Sequence, residues 1–125
     1  MKPKEKGDLA VAHAIYYFQT NGYEVSLPIG DKRPYDLVVE KNGLLEKVQV
    51  KYGGRYGNNG KCCVALRTMG GNRSYYTAKR YKKEDFDLLF AYTANGREYL
   101  VPWNCIANFS QIVIEASIYD RYRVK

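Results

Sequence analysis

Asp36, Gln49 and Lys51 are the residues whose types and spacing could do chemistry. They lie on two runs rich in β-formers, Tyr35–Glu40 and Leu44–Tyr52, joined through Asn42-Gly43. Asn-Gly is the strongest short hairpin signal, because a type I′ turn needs positive φ at both central residues. A two-residue turn pairs Lys41 with Leu44. It therefore sets Asp36 directly across from Gln49, with Lys51 as its diagonal neighbour on the same face. A carboxylate and a neighbouring amide oxygen are hard ligands suited to Mg²⁺ (or Mn²⁺), ions that bind phosphate oxygens. A lysine beside such an ion can orient or deprotonate the attacking water, or stabilise charge on a phosphorane-like transition state. Together the three groups would hydrolyse a phosphodiester. A bare Asp–Lys pair is more often an ordinary cross-strand ion pair on a solvated face. The Pro34-Tyr35-Asp36 entry, the Gln49-Val50-Lys51 exit and the charge pattern that begins at Lys51 favour the chemical reading.

The net charge of +7 is concentrated in one stretch. Residues 1–50 balance seven basic against seven acidic side chains, and residues 84–125 carry four basic against six acidic. Residues 51–83 hold nine basic side chains (Lys51, Arg55, Lys61, Arg67, Arg73, Lys79, Arg80, Lys82 and Lys83) and no acidic one. Charge of one sign gathered in this way raises the local concentration of polyanions. Tyr52, Tyr56, Tyr75, Tyr76 and Tyr81 are interleaved with the cations, and glycines allow loops to follow a groove. Arginine reads guanine edges in the major groove, whereas lysine and tyrosine contact phosphates. Arg55, Arg67 and Arg73 are candidate base readers; Lys61, Lys79, Arg80, Lys82 and Lys83 are candidate DNA-backbone contacts. The plainer alternatives are a solvated basic face and tyrosines used in packing.

Other classes drop out. Three cysteines, one histidine and no CxxC pair leave too few ligands for a Cys/His zinc site. Reduced thiols in an intracellular protein, cytoplasmic or nucleoid-associated, are expected. His13 falls in an amphipathic helix, where a surface or packed histidine is the usual case. No run of more than five apolar residues exists, so no membrane span and no secretory signal is expected.

The elements that position these residues are legible in outline. Residues 7–21 read as a helix, with Asp8 in the first turn and Val11, Ile15 and Phe18, beside Ala12, as the apolar stripe. Asn21-Gly22 ends it. Residues 23–28 read as a strand and residues 29–34 as a loop. On the hairpin, Tyr35, Leu37, Val39, Val48 and Val50 form an apolar core face, and Asp36, Lys47, Gln49 and Lys51 the other. A one-residue slip would exchange the faces, so the register is well specified. Gly53–Lys61 is too rich in glycine and asparagine for regular structure. Residues 62–68 read as a strand and residues 69–74 as a second loop. A further hairpin, residues 86–93 and 97–102, turns at Asn95-Gly96. A helical turn near residues 103–108 and a strand near residues 111–115 follow. At 125 residues the chain is expected to form one domain, 1–125. The expected class is α/β, a mixed sheet flanked by helices.

The tracts quoted above carry a resemblance. Pro34-Tyr35-Asp36 with Gln49-Val50-Lys51 resembles the PD-(D/E)xK nuclease core, in the variant with glutamine in place of the second acid. KGDLAVAHAIYYFQTNGYEVSLP, YDLVVEKNG, KVQVKY and FDLLFAY with YLVPW are similar to endonucleases encoded within bacterial group I introns. Archaeal Holliday junction resolvases share the opening Lys-Gly helix and the Asp–Lys spacing more distantly. The resemblance implies a restriction-endonuclease-like core and a Mg²⁺- or Mn²⁺-dependent, sequence-specific endonuclease acting on double-stranded DNA. In it Asp36, Gln49 and the backbone carbonyl of Val50 would be metal ligands and Lys51 would be catalytic. A homo-oligomer, dimer or tetramer, is expected because long sites exceed one small domain. Family members usually carry a glutamate four residues after the glycine of the opening pair; Lys6-Gly7 puts Val11 there. Asp8 is a candidate substitute. Two other readings follow: a junction-resolving nuclease, or a catalytically weakened DNA-binding module on the same fold.

Overall fold

The computed structural model describes residues 1–57, 59–69 and 78–125. The chain opens with helix α1, Pro3–Thr20. Pro3 sits at its first position, where the missing N–H is no loss and the ring fixes a helical φ. The Glu5 carboxylate accepts the backbone N–H of Lys2 at 3.0 Å. The helix thus begins ahead of the expected residue 7, and Asp8 lies in its second turn. Its buried face is Ala10, Ala14 and Phe18. Val11 and Ile15 flank this face half-buried, and Ala12 is exposed. Ala10, Ala14 and Phe18 pack on Leu37, Val39, Val48, Val50 and Phe90 of the sheet.

Among the described residues nine strands follow: β1 Glu24–Ser26, β2 Leu37–Lys41, β3 Leu44–Arg55, β4 Cys62–Ala65, β5 Arg67–Met69, β6 Ala78–Arg80, β7 Leu88–Thr93, β8 Glu98–Pro102 and β9 Gln111–Ile112. The long strand β3 organises them. Its first part pairs antiparallel with β2, its middle runs parallel to β7, and its end pairs antiparallel with β4. β1 extends the sheet beyond β2, β8 beyond β7, and β9 beyond β4. The expected hairpin register holds: Lys41 faces Leu44 and Leu37 faces Val48. Asn42 and Gly43 take φ of 54° and 82°, as the type I′ turn requires.

The glycine-rich tract is partly strand. β3 runs on through Gly53-Gly54 to Arg55, and a Cβ at Gly53 would meet Val64 Cγ2 at 3.3 Å and the Cys63 carbonyl at 3.4 Å. The missing side chain admits β4 close beside β3. The strand expected over residues 62–68 breaks at Leu66, whose N–H bonds the Ser110 carbonyl at 2.8 Å. Beyond it β5 leaves the sheet to form a separate two-stranded ribbon with β6. The loop expected over residues 69–74 lies mostly outside the described residues, as do Arg73, Tyr75 and Tyr76.

Both faces of the sheet are buried. Leu37, Val39, Val48, Val50 and Phe90 pack under α1. Leu89, Ala91, Tyr99 and Val101 face the other way, toward Phe86, Ile106 and Ile114. Tyr35 joins this second cluster, on the side of Lys47, and not the helix-side core expected of it. Only one α-helix flanks the sheet among the described residues. The opposite face is covered by short 3-10 turns at Trp103–Cys105 and Ser117–Tyr122 and by the segments between them.

A buried carboxylate ties this side together. Glu115 Oε1 accepts the Cys62 N–H at 2.8 Å and the Asn95 side-chain amide at 2.7 Å, and Oε2 accepts the Thr93 hydroxyl at 3.0 Å. Burial raises its pKa, but these hydrogen bonds outweigh burial and hold it below the ordinary glutamate value. A carboxylate depressed in the folded state lends stability above its unfolded pKa, and that stability is lost as pH falls through the folded value. Glu115→Ala is expected to lower unfolding free energy at pH 7 by about 1–3 kcal/mol, since it strands buried donors. Urea melts at pH 7 and pH 3 check this. The gap between the proteins should narrow at the lower pH.

Candidate active site and its cationic cleft

Asp36 enters β2 by donating its N–H to the Val48 carbonyl at 2.8 Å, and its Oδ2 accepts the Val50 N–H at 2.8 Å. The carboxylate is thereby pinned across β3. Burial pushes its pKa up, against the pull of the Val50 N–H and of the Lys51 charge. Lys51 is its counterpart: burial lowers the ammonium pKa, and Asp36 opposes that. Each group therefore feels the other in a partly desolvated setting. Gln49 is buried, and its Nε2 donates to the Pro34 carbonyl at 2.8 Å, which leaves Oε1 as the acceptor. The face carrying Asp36, Gln49 and Lys51 is less open than the expected solvated surface, because the second core cluster borders it.

Lys51 leans toward the ribbon. Its Nζ lies 3.5 Å from the Arg67 carbonyl and 5.3 Å from the centre of the Tyr81 ring. The Tyr81 phenol is pushed up to about 12, first by burial and then by the charges of Asp36 and Asp85. Tyr81 thus belongs to this site. In the sequence it is one tyrosine among several in a basic stretch, and only its position after β6 turns it inward.

Among the described residues no group of three His, Cys, Asp or Glu side chains is gathered as a metal cage. The donor set at hand is one carboxylate, the Gln49 amide oxygen and backbone carbonyl oxygen. These hard oxygens fit a magnesium ion that keeps most of its waters. Val11 is half-buried and packs against the helix-side core. Asp8 sits on the exposed side of α1, 3.8 Å from Lys4. His13 is a packed residue: it stacks on Tyr92 at 3.9 Å and bonds Glu98 at 2.9 Å.

A cleft of about 660 Å³ opens beside the site, lined by Asp31, Lys32, Arg33, Pro34, Thr68, Lys79, Arg80, Lys82 and Asp85. Pro34 both borders this cleft and anchors Gln49, and Thr68 follows the residue whose carbonyl meets Lys51. Lys79, Arg80 and Lys82 are among the cations expected at a DNA surface. Lys32 and Arg33 are not, because the first fifty residues sum to zero and hide a local pair. Arg80 Nη1 donates to the Asn108 carbonyl at 3.0 Å. Arg55 lies outside the cleft lining, with Nε on Asn95 Oδ1 at 2.9 Å. Lys61, Arg67 and Lys83 are exposed outside that lining, and Arg73 is outside the described residues.

Fold and site together define a class, and the comparison with protein families agrees with it. The chain belongs to the PD-(D/E)XK endonuclease family, whose model matches residues 1–121. Among solved structures it is similar to the bacterial homing endonuclease I-Ssp6803I. The match has a TM-score of 0.82 and 32% identity, covering 98% of this chain and 89% of that one. A search of curated protein sequences found no match. No helix among the described residues is long and apolar enough to cross a membrane.

Proposed function

We propose that the protein is a sequence-specific endonuclease that cuts double-stranded DNA with Mg²⁺ or Mn²⁺. The observation that carries this reading is that Asp36 and Lys51, each acting on the other's charge, adjoin through Pro34 and Arg67–Thr68 a cleft bearing five cationic side chains. Asp36, Gln49 Oε1 and the Val50 carbonyl would hold the metal, which supplies a Lewis acid for the phosphate and an acidified water. Asp36 is held in place by the Val50 N–H, and Gln49 is oriented by Pro34. Lys51 directs its ammonium toward the attacking water or the developing charge. The cleft cations bind the duplex backbone. The likeness to a homing endonuclease supports specificity for a long site, and such a site calls for a dimer or tetramer, acting inside the cell where DNA is held.

Linear plasmid DNA and a four-way junction, each incubated with Mg²⁺, test this reading. Cutting at defined positions in linear duplex supports it. Cutting of the junction alone, without sequence preference, would replace it with a resolvase.

Val11 favours a second reading, a DNA-binding module of weakened activity, since a valine offers no oxygen to a metal. If position 11 is the family's glutamate position, Val11→Glu should raise Mg²⁺-dependent cleavage at least tenfold, about 1.4 kcal/mol of barrier. An unchanged rate together with a lowered melting temperature would make Val11 simply a core residue.

A further inference from the structure

Lys51 ends in an ammonium on a flexible stem, and such a group acts on a defined atom only if something holds its tip. Asp36 acts on it by charge, without an ion pair within 4.0 Å among the described residues. The two contacts near its Nζ come from the ends of the β5–β6 ribbon: the Arg67 carbonyl at 3.5 Å and the Tyr81 ring at 5.3 Å. The first is long for a hydrogen bond. The second is within the distance of about 6 Å at which a ring face attracts a cation. The Tyr81 ring is itself fixed, meeting fully buried Phe86 edge-to-face at 5.1 Å, and Phe86 meets Trp103 in the same way at 5.2 Å. The same ribbon contributes Lys79 and Arg80 to the cleft lining.

We infer that Tyr81 is a positioning residue for Lys51, and that the β5–β6 ribbon links the seating of DNA to the chemical step. The inference rests on the nuclease reading above and adds to it the element that connects binding with cleavage. A duplex drawn against Lys79 and Arg80 bears on the strands whose ends hold the Lys51 tip. The face of the ring, not the phenol hydroxyl, does the holding, so phenylalanine can replace tyrosine.

Two measurements test this. In protein labelled at lysine, ring current from Tyr81 should shift the Lys51 ε-methylene signals upfield in the wild type and in Tyr81→Phe. The shift should be lost in Tyr81→Leu and in Tyr81→Met. An unshifted wild-type signal overturns the inference without need of any variant. In single-turnover cleavage of plasmid DNA with Mg²⁺, Tyr81→Leu and Tyr81→Met should be slowed roughly tenfold, the scale of a desolvated cation–π contact. Their DNA affinity should stay within about twofold, and Tyr81→Phe should match the wild type. If Lys51→Ala is inactive while Tyr81→Leu cuts at the wild-type rate, the positioning role is wrong and the nuclease reading stands. If Lys51→Ala itself cuts normally, the nuclease reading fails first. Equal losses of affinity and cleavage in the Tyr81 variants would make Tyr81 a structural residue only.

Discussion

Asp36→Asn and Lys51→Ala should each reduce DNA cleavage by at least about a hundredfold, the scale on which removal of a transition-state stabiliser is felt. DNA affinity should remain nearly intact. Neither residue is among those lining the cationic cleft, so the groups that grip the backbone stay in place. In Asp36→Asn the new side-chain amide oxygen can still accept the Val50 N–H, which preserves the local geometry. The fold should also survive. The ionised Asp36 and the charged Lys51 are both disfavoured by burial, since the first has a raised and the second a lowered pKa. Burial penalises each charge at neutral pH while each relieves the other, so neutralising one is expected to change the melting temperature little. Cleavage gels run beside fluorescence anisotropy on the same DNA separate the two effects. Normal turnover in either variant would remove the active-site assignment.

The second large effect is that of salt. If the cleft and its flanks neutralise roughly 6 phosphates per subunit, the slope of log K against log [salt] should be about −5. Affinity would then fall by about a thousandfold between about 50 and 200 mM salt. Lys79→Ala should make the slope shallower by about 1 and weaken all sequences alike. Lys32→Ala should do the same, because it lines the same cleft. Lys61→Ala should do less, since Lys61 lies outside that lining. An arginine that reads a base, with Arg55 and Arg67 as candidates, should instead cost about 1–3 kcal/mol on the preferred site and little elsewhere. A slope near zero would mean that the basic stretch is a solvated face.

What is legible in the sequence is local. The Asn42-Gly43 turn specifies its own backbone geometry, and alternation on either side admits only one register, so residue order alone places Asp36, Gln49 and Lys51 on one face. Asn95-Gly96 marks the second hairpin as well, but through a three-residue loop: the Thr93 N–H bonds the Arg97 carbonyl at 2.9 Å, and only Gly96 takes positive φ, 78°. The parallel pairing of β3 with β7 is not legible, because it joins segments far apart and leaves no turn signature. That pairing helps bury the sheet on both sides, and burial is what perturbs Asp36 and Lys51. Alternation puts Tyr35 on the wrong face because it is extended beyond the regular strand, which begins at Leu37. The helix start is hidden because Asp8 looks like a first-turn acid, whereas Glu5 and Pro3 perform that service. Lys32 and Arg33 are concealed when charge is averaged over too long a window. Tyr81 and Glu115 are the plainest cases of tertiary roles: one meets a lysine thirty positions earlier, and the other gathers donors from three separate strands and turns.

The central proposal is that this chain hydrolyses DNA with a metal held by Asp36 beside the Lys51 ammonium. Its most direct test is plasmid cleavage by the purified protein with Mg²⁺ or Mn²⁺, with chelator, and with Asp36→Asn in parallel. The account predicts products cut at defined positions when either ion is present, with none in chelator and none from the variant. Cutting that persists in chelator or in Asp36→Asn would contradict it, and so would the absence of any cutting by both the wild type and Val11→Glu.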